Sequence, residues 1–122
     1  SLFISAAVLV LVVISDRDLL GSRLPARTTP VPFGEGADII HKRCTTCHSS
    51  TPSDNVYRAA PNGVMFDTPD QILRKAADIQ LRAVTLRNMP LANITGITRE
   101  ERAALGAWVE QGALGPEAPA TP

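Results

Sequence analysis

The sequence predicts an all-α fold with three core helices. Two of the three segments open on capping boxes, all three carry apolar residues at helical spacing, and no stretch alternates apolar and polar residues as a half-buried strand would. The first helix is expected from about Glu35 to Cys44, with Ala37, Ile40 and Cys44 recurring along one face. The second starts at Thr68-Pro69-Asp70-Gln71, where Thr68 can cap, Pro69 sits in the first turn at no hydrogen-bond cost and Gln71 can complete the box. Its apolar stripe is Ile72, Leu73, Ala76, Ile79 and Ala83. The third starts at Thr98-Arg99-Glu100-Glu101 and runs through Leu105, Trp108 and Val109 to a stop at Gly112.

These helices occupy residues 34 to 114 of a 122-residue chain, a length that suits one domain. Ahead of them, Ser1 to Ile14 is an apolar run ended by Asp16-Arg17-Asp18. It is shorter than the roughly 20 residues a spanning helix needs. It also lacks the Met start, basic leader and small-residue cleavage site of a secretory signal. Residues 1 to 15 therefore read as the end of a truncated transmembrane helix, with a signal remnant or a buried strand as the alternatives. The implied parent is a larger membrane protein. Residues 16 to 33, with Gly21, Pro25, Pro30 and Pro32, have linker composition, and residues 115 to 122, rich in proline, are expected to be a disordered tail.

Twelve Lys plus Arg balance twelve Asp plus Glu, so no net field argues for nucleic acid or for a cationic substrate. A domain this small buries little of its own surface, and a large apolar cofactor would supply the missing core. The segment from Ser49 to Asp67 points the same way, being too long for a loop in a compact domain unless it wraps something.

Both cysteines of the chain lie in Cys44-Thr45-Thr46-Cys47-His48, directly after the first helix. Two cysteines three positions apart followed at once by histidine is the pattern by which a c-type haem is attached. On one irregular turn Cys44 and Cys47 can reach two vinyl groups and form thioethers, and His48 falls beneath the ring where it can bind iron. A redox-active dithiol would need a preceding strand in a βαβ unit, and a closed zinc site would need four ligands where three candidates cluster.

The other axial position decides between open-site chemistry and electron transfer, and methionine there raises the reduction potential. Of the two methionines, Met89 lies in Arg87-Asn88-Met89-Pro90, between the second and third helices, where a loop stiffened by Pro90 can present a thioether. Met65, in the wrapping loop, reads as packing against the ring or the core. His41, one turn before Cys44, reads as a surface contact. Lys42, Arg43 and Arg87 are charges that could steer a partner, although such charges are ordinarily just solvated.

With these residues in place, the stretch from 34 to 113 resembles a class I cytochrome c. Gly36 and Ile40 look like the glycine and apolar residue by which the first helix of that family meets the last, and Leu105 and Trp108 look like the pair that receives them. The resemblance implies three helices around one covalent haem c, with Trp108 covering the haem edge. It also implies that the carbonyl of Pro61, or less closely of Pro52, orients His48. A narrower resemblance lies in Ala60-Pro61-Asn62-Gly63-Val64, in the second helix, and above all in Met89 to Thr98 followed by Glu101-Arg102 and Trp108-Val109. These look like the carboxy-terminal cytochrome domain of bacterial membrane-bound urate oxidases. That family implies an upstream membrane catalytic domain feeding electrons to the haem, a downstream cytochrome or terminal oxidase as acceptor, and a cytochrome domain in the periplasm on the cytoplasmic membrane. A singly anchored respiratory cytochrome and a haem enzyme with an open distal site are the alternative readings.

Overall fold

The computed structural model describes residues 26 to 119. The apolar run of residues 1 to 15, the linker up to residue 25 and the last three residues lie outside the described residues. Among the described residues there are four α-helices: α1 (Phe33–Arg43), α2 (Pro69–Arg74), α3 (Ala76–Ile79) and α4 (Arg99–Glu110). A π-helical segment, Gln80–Thr85, continues α3, and short 3₁₀ turns lie at Pro61–Gly63 and Leu91–Asn93. Among the described residues there is no strand, and no helix is long and apolar enough to cross a membrane.

Helix α1 begins two residues earlier than its apolar pattern suggests because the Pro32 carbonyl accepts from the amides of Glu35 and Gly36. Glu35 stands in its first turn and His41, Lys42 and Arg43 in its last, the arrangement a helix macrodipole favours. Both expected capping boxes form. Thr68 Oγ1 accepts from the Gln71 amide at 3.2 Å while Gln71 Oε1 accepts from the Thr68 amide at 3.1 Å. Thr98 Oγ1 accepts from the Glu101 amide at 3.1 Å, and Glu101 Oε2 accepts from the Thr98 amide at 2.9 Å.

The second predicted helix is a broken one. At Lys75 the backbone leaves helical geometry (φ −107°, ψ 10°), α3 restarts, and from Gln80 the winding loosens to π, with the Leu86 amide donating to the Leu81 carbonyl at 2.8 Å. The stripe survives the break, since Ile72, Ala76, Ile79 and Ala83 are all buried. The wider turn is where this segment reaches the cavity described below.

The core is the crossing of α1 on α4. Ile40 and Leu105 are fully buried, and Ile72 and Trp108 nearly so. The Trp108 ring meets Phe33 edge-on at 6.2 Å between centroids, and its Nε1–H donates to the Leu114 carbonyl at 3.0 Å, so the large ring is buried without orphaning its polar atom. At the end of α4, the Gln111 side chain accepts from the Val31 amide at 2.8 Å and donates to the Thr29 carbonyl at 3.1 Å. Past Gly112, in positive φ, the chain turns back. Gly115 lies against Leu73, and the Ala118 amide donates to the Gly115 carbonyl, so the start of the expected disordered tail is a turn packed on α2.

The glycine at the tightest approach in this core is Gly106. A Cβ on Gly36 would sit 3.5 Å from the Trp108 ring, an ordinary contact, whereas a Cβ on Gly106 would sit 3.0 Å from Val84 Cγ1 on the π segment. Val84 has little rotameric freedom with which to yield. Gly36→Ala is expected to leave stability unchanged or raise it by up to about 1 kcal/mol through helix propensity. Gly106→Ala is expected to lower it by about 1–2 kcal/mol through overpacking. Urea unfolding midpoints of the two variants check the ranking.

Candidate cofactor site

A cavity of about 340 Å³ opens beside the end of α1. Its wall is mostly apolar, with Val64, Phe66, Ile79, Ala83, Pro90, Leu91 and Ile94, and into it the fold brings Cys44, Cys47, His48, Pro61 and Met89. The volume falls within the roughly 300–1,000 Å³ of small-molecule and cofactor sites. Met65 and Trp108 are not among the lining residues, and His41 is exposed.

The thiols and the imidazole arrive on one turn. Past α1 the Cys44 amide still donates to the Ile40 carbonyl at 2.8 Å, and the Cys44 carbonyl then accepts from the amides of Cys47 at 3.2 Å and His48 at 2.9 Å. The Ser49-to-Asp67 segment wraps back from there. Ser49 Oγ donates to Asp67 Oδ1 at 2.7 Å and the Ser50 amide to Asp67 Oδ2 at 2.8 Å, closing the two ends of the loop on each other. Those same bonds hold the Asp67 carboxyl below its ordinary range.

His48 Nδ1 lies 2.9 Å from the carbonyl oxygen of Val64, and a carbonyl cannot donate, so Nδ1 carries a proton and Nε2 is the ring nitrogen left for another partner. Phe66 packs edge-on against the imidazole at 5.5 Å, and its amide donates to the His48 carbonyl at 3.0 Å. The expectation that Pro61 supplies the orienting carbonyl is therefore corrected. The Pro61 carbonyl is consumed by the Val64 amide at 3.1 Å within the 3₁₀ turn. Asn62 and Gly63, both at positive φ, reverse the chain so that the carbonyl three residues on meets the ring. Pro61 itself still lines the cavity. Trp108, expected at the cofactor, stands in the α1–α4 core against Gly36 and Phe33, because its helix turns that face to α1.

Both thiols are shifted above their ordinary range. Burial pushes the Cys44 thiol up to about 12, against the opposing charge of Arg102, and burial together with Asp54 raises that of Cys47. A thiol that attacks disulfides or binds zinc works as thiolate and has its pKa lowered. Among the described residues no three His, Cys, Asp or Glu side chains gather as a metal shell.

Met89 comes from the far side of the sequence, on the arm between the π segment and α4. Its amide donates to the Arg82 carbonyl at 3.2 Å, and its own carbonyl accepts from Arg102 Nη1 at 2.8 Å. The Met89–Pro90 peptide is cis. Beyond it the Asn93 side chain accepts from the Ile97 amide at 2.9 Å and donates to the Ile97 carbonyl at 3.2 Å, which shapes the rest of the arm. Arg102 is a site residue that the apolar pattern conceals. It lies on the buried face three positions before Leu105, and a charge on that face was the available signal.

Arg43 is not the free steering charge its place at the end of α1 suggests. Its guanidinium grips Glu101 in two parallel bonds, of 2.9 and 3.0 Å, and also donates to the Thr95 carbonyl, while Thr95 Oγ1 returns a bond to the Arg43 carbonyl at 2.8 Å. This cluster ties the end of α1 to the start of α4 at the cavity rim. A second, more open depression of about 450 Å³ beside it is lined mainly by charges, among them Arg27, Glu35, Asp38 and Glu100, and has no sulfur or imidazole.

Burial raises the Glu101 pKa, but the Arg43 hydrogen bond, the Thr98 amide and the charges of Arg43 and Lys42 outweigh it, and the net direction is downward. A carboxyl depressed in the folded state stabilises above its unfolded pKa and loses that contribution as pH falls through the folded value. Wild-type stability is thus expected to fall as pH drops below the ordinary glutamate value of 4.5. The Glu101→Gln variant is expected to be less stable at neutral pH and to show a shallower acid slope. Unfolding free energies measured across that range check both.

No family model matches the chain, and no curated protein or solved structure matches it either.

Proposed function

We propose that the chain is a one-electron carrier of class I cytochrome c type, holding one haem c through thioethers to Cys44 and Cys47 with His48 and Met89 as axial ligands. The observation that carries the proposal is that these four side chains, drawn from two segments about forty residues apart in the sequence, line a single apolar cavity. The residues suit the group on chemical grounds. The two thiols can add across vinyl double bonds, each forming a sulfur–carbon bond, with a hydrogen going to the neighbouring carbon. The Val64 carbonyl takes up His48 Nδ1 and leaves Nε2 as the ring nitrogen for another partner. Met89 brings a soft thioether on an arm whose backbone is bonded on both sides.

The haem when bound supplies the redox chemistry, and the chain's residues tune and shield it. His48 and Met89 would hold the iron through an imidazole and a thioether, a ligand pair suited to electron transfer. Phe66, Ile79 and Ala83 exclude water from the cavity wall and so favour the less charged, reduced state. The anchored Met89 arm favours this reading over an open distal site for a substrate.

The resemblance of Ala60 to Val64 and of Met89 to Thr98 to urate oxidase cytochrome domains extends the proposal to the parent. There the module accepts electrons from an upstream membrane-embedded urate oxidase domain and passes them, in the periplasm, to another carrier or a terminal oxidase. Urate added to membranes carrying the full-length parent is expected to reduce the module's haem, and a haem that stays oxidised would overturn this extension.

For the module itself, haem is expected to stay with the chain on a denaturing gel, and Cys44→Ser/Cys47→Ser to lose it. The ferric protein is expected to show the weak red sulfur-to-iron charge-transfer band. Met89→Ala should abolish that band and lower the potential, within the span of about 0.8 V that axial ligands command. Met65→Ala should keep it. A high-spin ferric wild type that binds azide readily would refute the assignment.

A further inference from the structure

We infer that Arg102 is the positioning residue of the Met89 arm: its buried guanidinium pins the Met89 and Ala83 carbonyls to α4 and so sets how firmly the thioether resists displacement by a competing ligand. The inference rests on Met89 being an axial ligand, as proposed above.

Arg102 is 7% exposed, in the midst of the α4 face that forms the core. A buried guanidinium is costly unless its donors are satisfied. Here one nitrogen, Nη1, donates to two carbonyls at once, those of Ala83 and of Met89. Ala83 belongs to the π segment and lines the cavity, while Met89 is the ligand candidate six residues on. The Met89 amide is in turn bonded to the Arg82 carbonyl. The chain from Arg82 to Met89 is therefore a closed loop whose neck is cinched from one side by its own backbone and from the other by Arg102. Its anchor is rigid, because the residues one turn and two turns further along α4, Leu105 and Trp108, are fully buried. For an external ligand to take the methionine's place the arm must swing away, and it cannot do so without breaking the bond from Nη1 to the Met89 carbonyl. A hydrogen bond from a charged donor is among the stronger ones.

A purely structural arginine would lower global stability and leave the competition at iron untouched, and this difference supplies the test. Imidazole affinity of the ferric haem-loaded protein, read by loss of the red band, is measured well below the unfolding temperature in wild type, Arg102→Gln, Arg102→Lys and the control Arg74→Gln, an exposed arginine of α2 outside the cavity. Arg102→Gln is expected to bind imidazole about tenfold more tightly or better with helix content unchanged. Arg102→Lys, which keeps a charged donor, should show a smaller gain, and Arg74→Gln none. If Arg102→Gln does not fold, Arg102→Lys decides by the same criterion, an affinity gain above twofold. A wild type that lacks the red band overturns the proposed function and this inference with it. A wild type that has the band, with both Arg102 variants within twofold of its imidazole affinity, overturns this inference alone.

Discussion

The crossing of α1 on α4 at Ile40, Leu105 and Trp108 is the contact on which the remainder of the structure hangs. Each helix carries one part of the cavity at its cavity-side end. Helix α1 runs into the turn that bears Cys44, Cys47 and His48, and the first turns of α4 bear Arg102, which fastens the Met89 arm. A shift in the crossing would move the imidazole relative to the thioether, so the distance between the two candidate ligands is set by helix packing rather than by either loop. Burying a tryptophan and two large aliphatic side chains gives that crossing its stiffness, since close-packed cores are hard to deform.

Polar contacts then fix what packing leaves free. The Arg43–Glu101 pair with Thr95 bridges the two helices at the rim, in the two-pronged geometry that holds a guanidinium plane in place. Asp67 ties the wrapping loop shut at its ends, and the Val64 carbonyl orients the imidazole. These bonds are individually modest, and their contribution is to geometry more than to stability. The wide depression beside the rim is bordered by charges that are paired or solvated, while the cavity concentrates sulfur, imidazole and apolar surface.

What the sequence makes legible is what local chemistry decides. The capping boxes at Thr68 and Thr98, the stripe through Ile72, Ala76, Ile79 and Ala83, and the clustering of Cys44, Cys47 and His48 depend on residues within a turn or two of each other, and all stand where the pattern puts them. Met89 was legible as a residue in a loop between helices. The π winding of Gln80–Thr85 and the role of Arg102 were not, because the contacts between that segment and α4 join residues remote in sequence. Val64 shows the same limit. Any residue has a carbonyl, and which one meets His48 depends on the positive φ of Asn62 and Gly63. Trp108 was legible as a large aromatic that must be buried, but not as one that turns to Gly36 and Phe33.

The Gln111 side chain holds the chain before α1 by both its oxygen and its nitrogen, at Val31 and Thr29. The two extremities of the folded unit are thus clasped by a single amide. Trimming the polypeptide from the back as far as Gln111 would also release its front, and trimming the front past Thr29 would unlatch the last turn of α4. Among the described residues this clasp joins the segment ahead of α1 to the last turn of α4, beside the turn that covers Trp108. Any fusion or tether belongs outside that clasp.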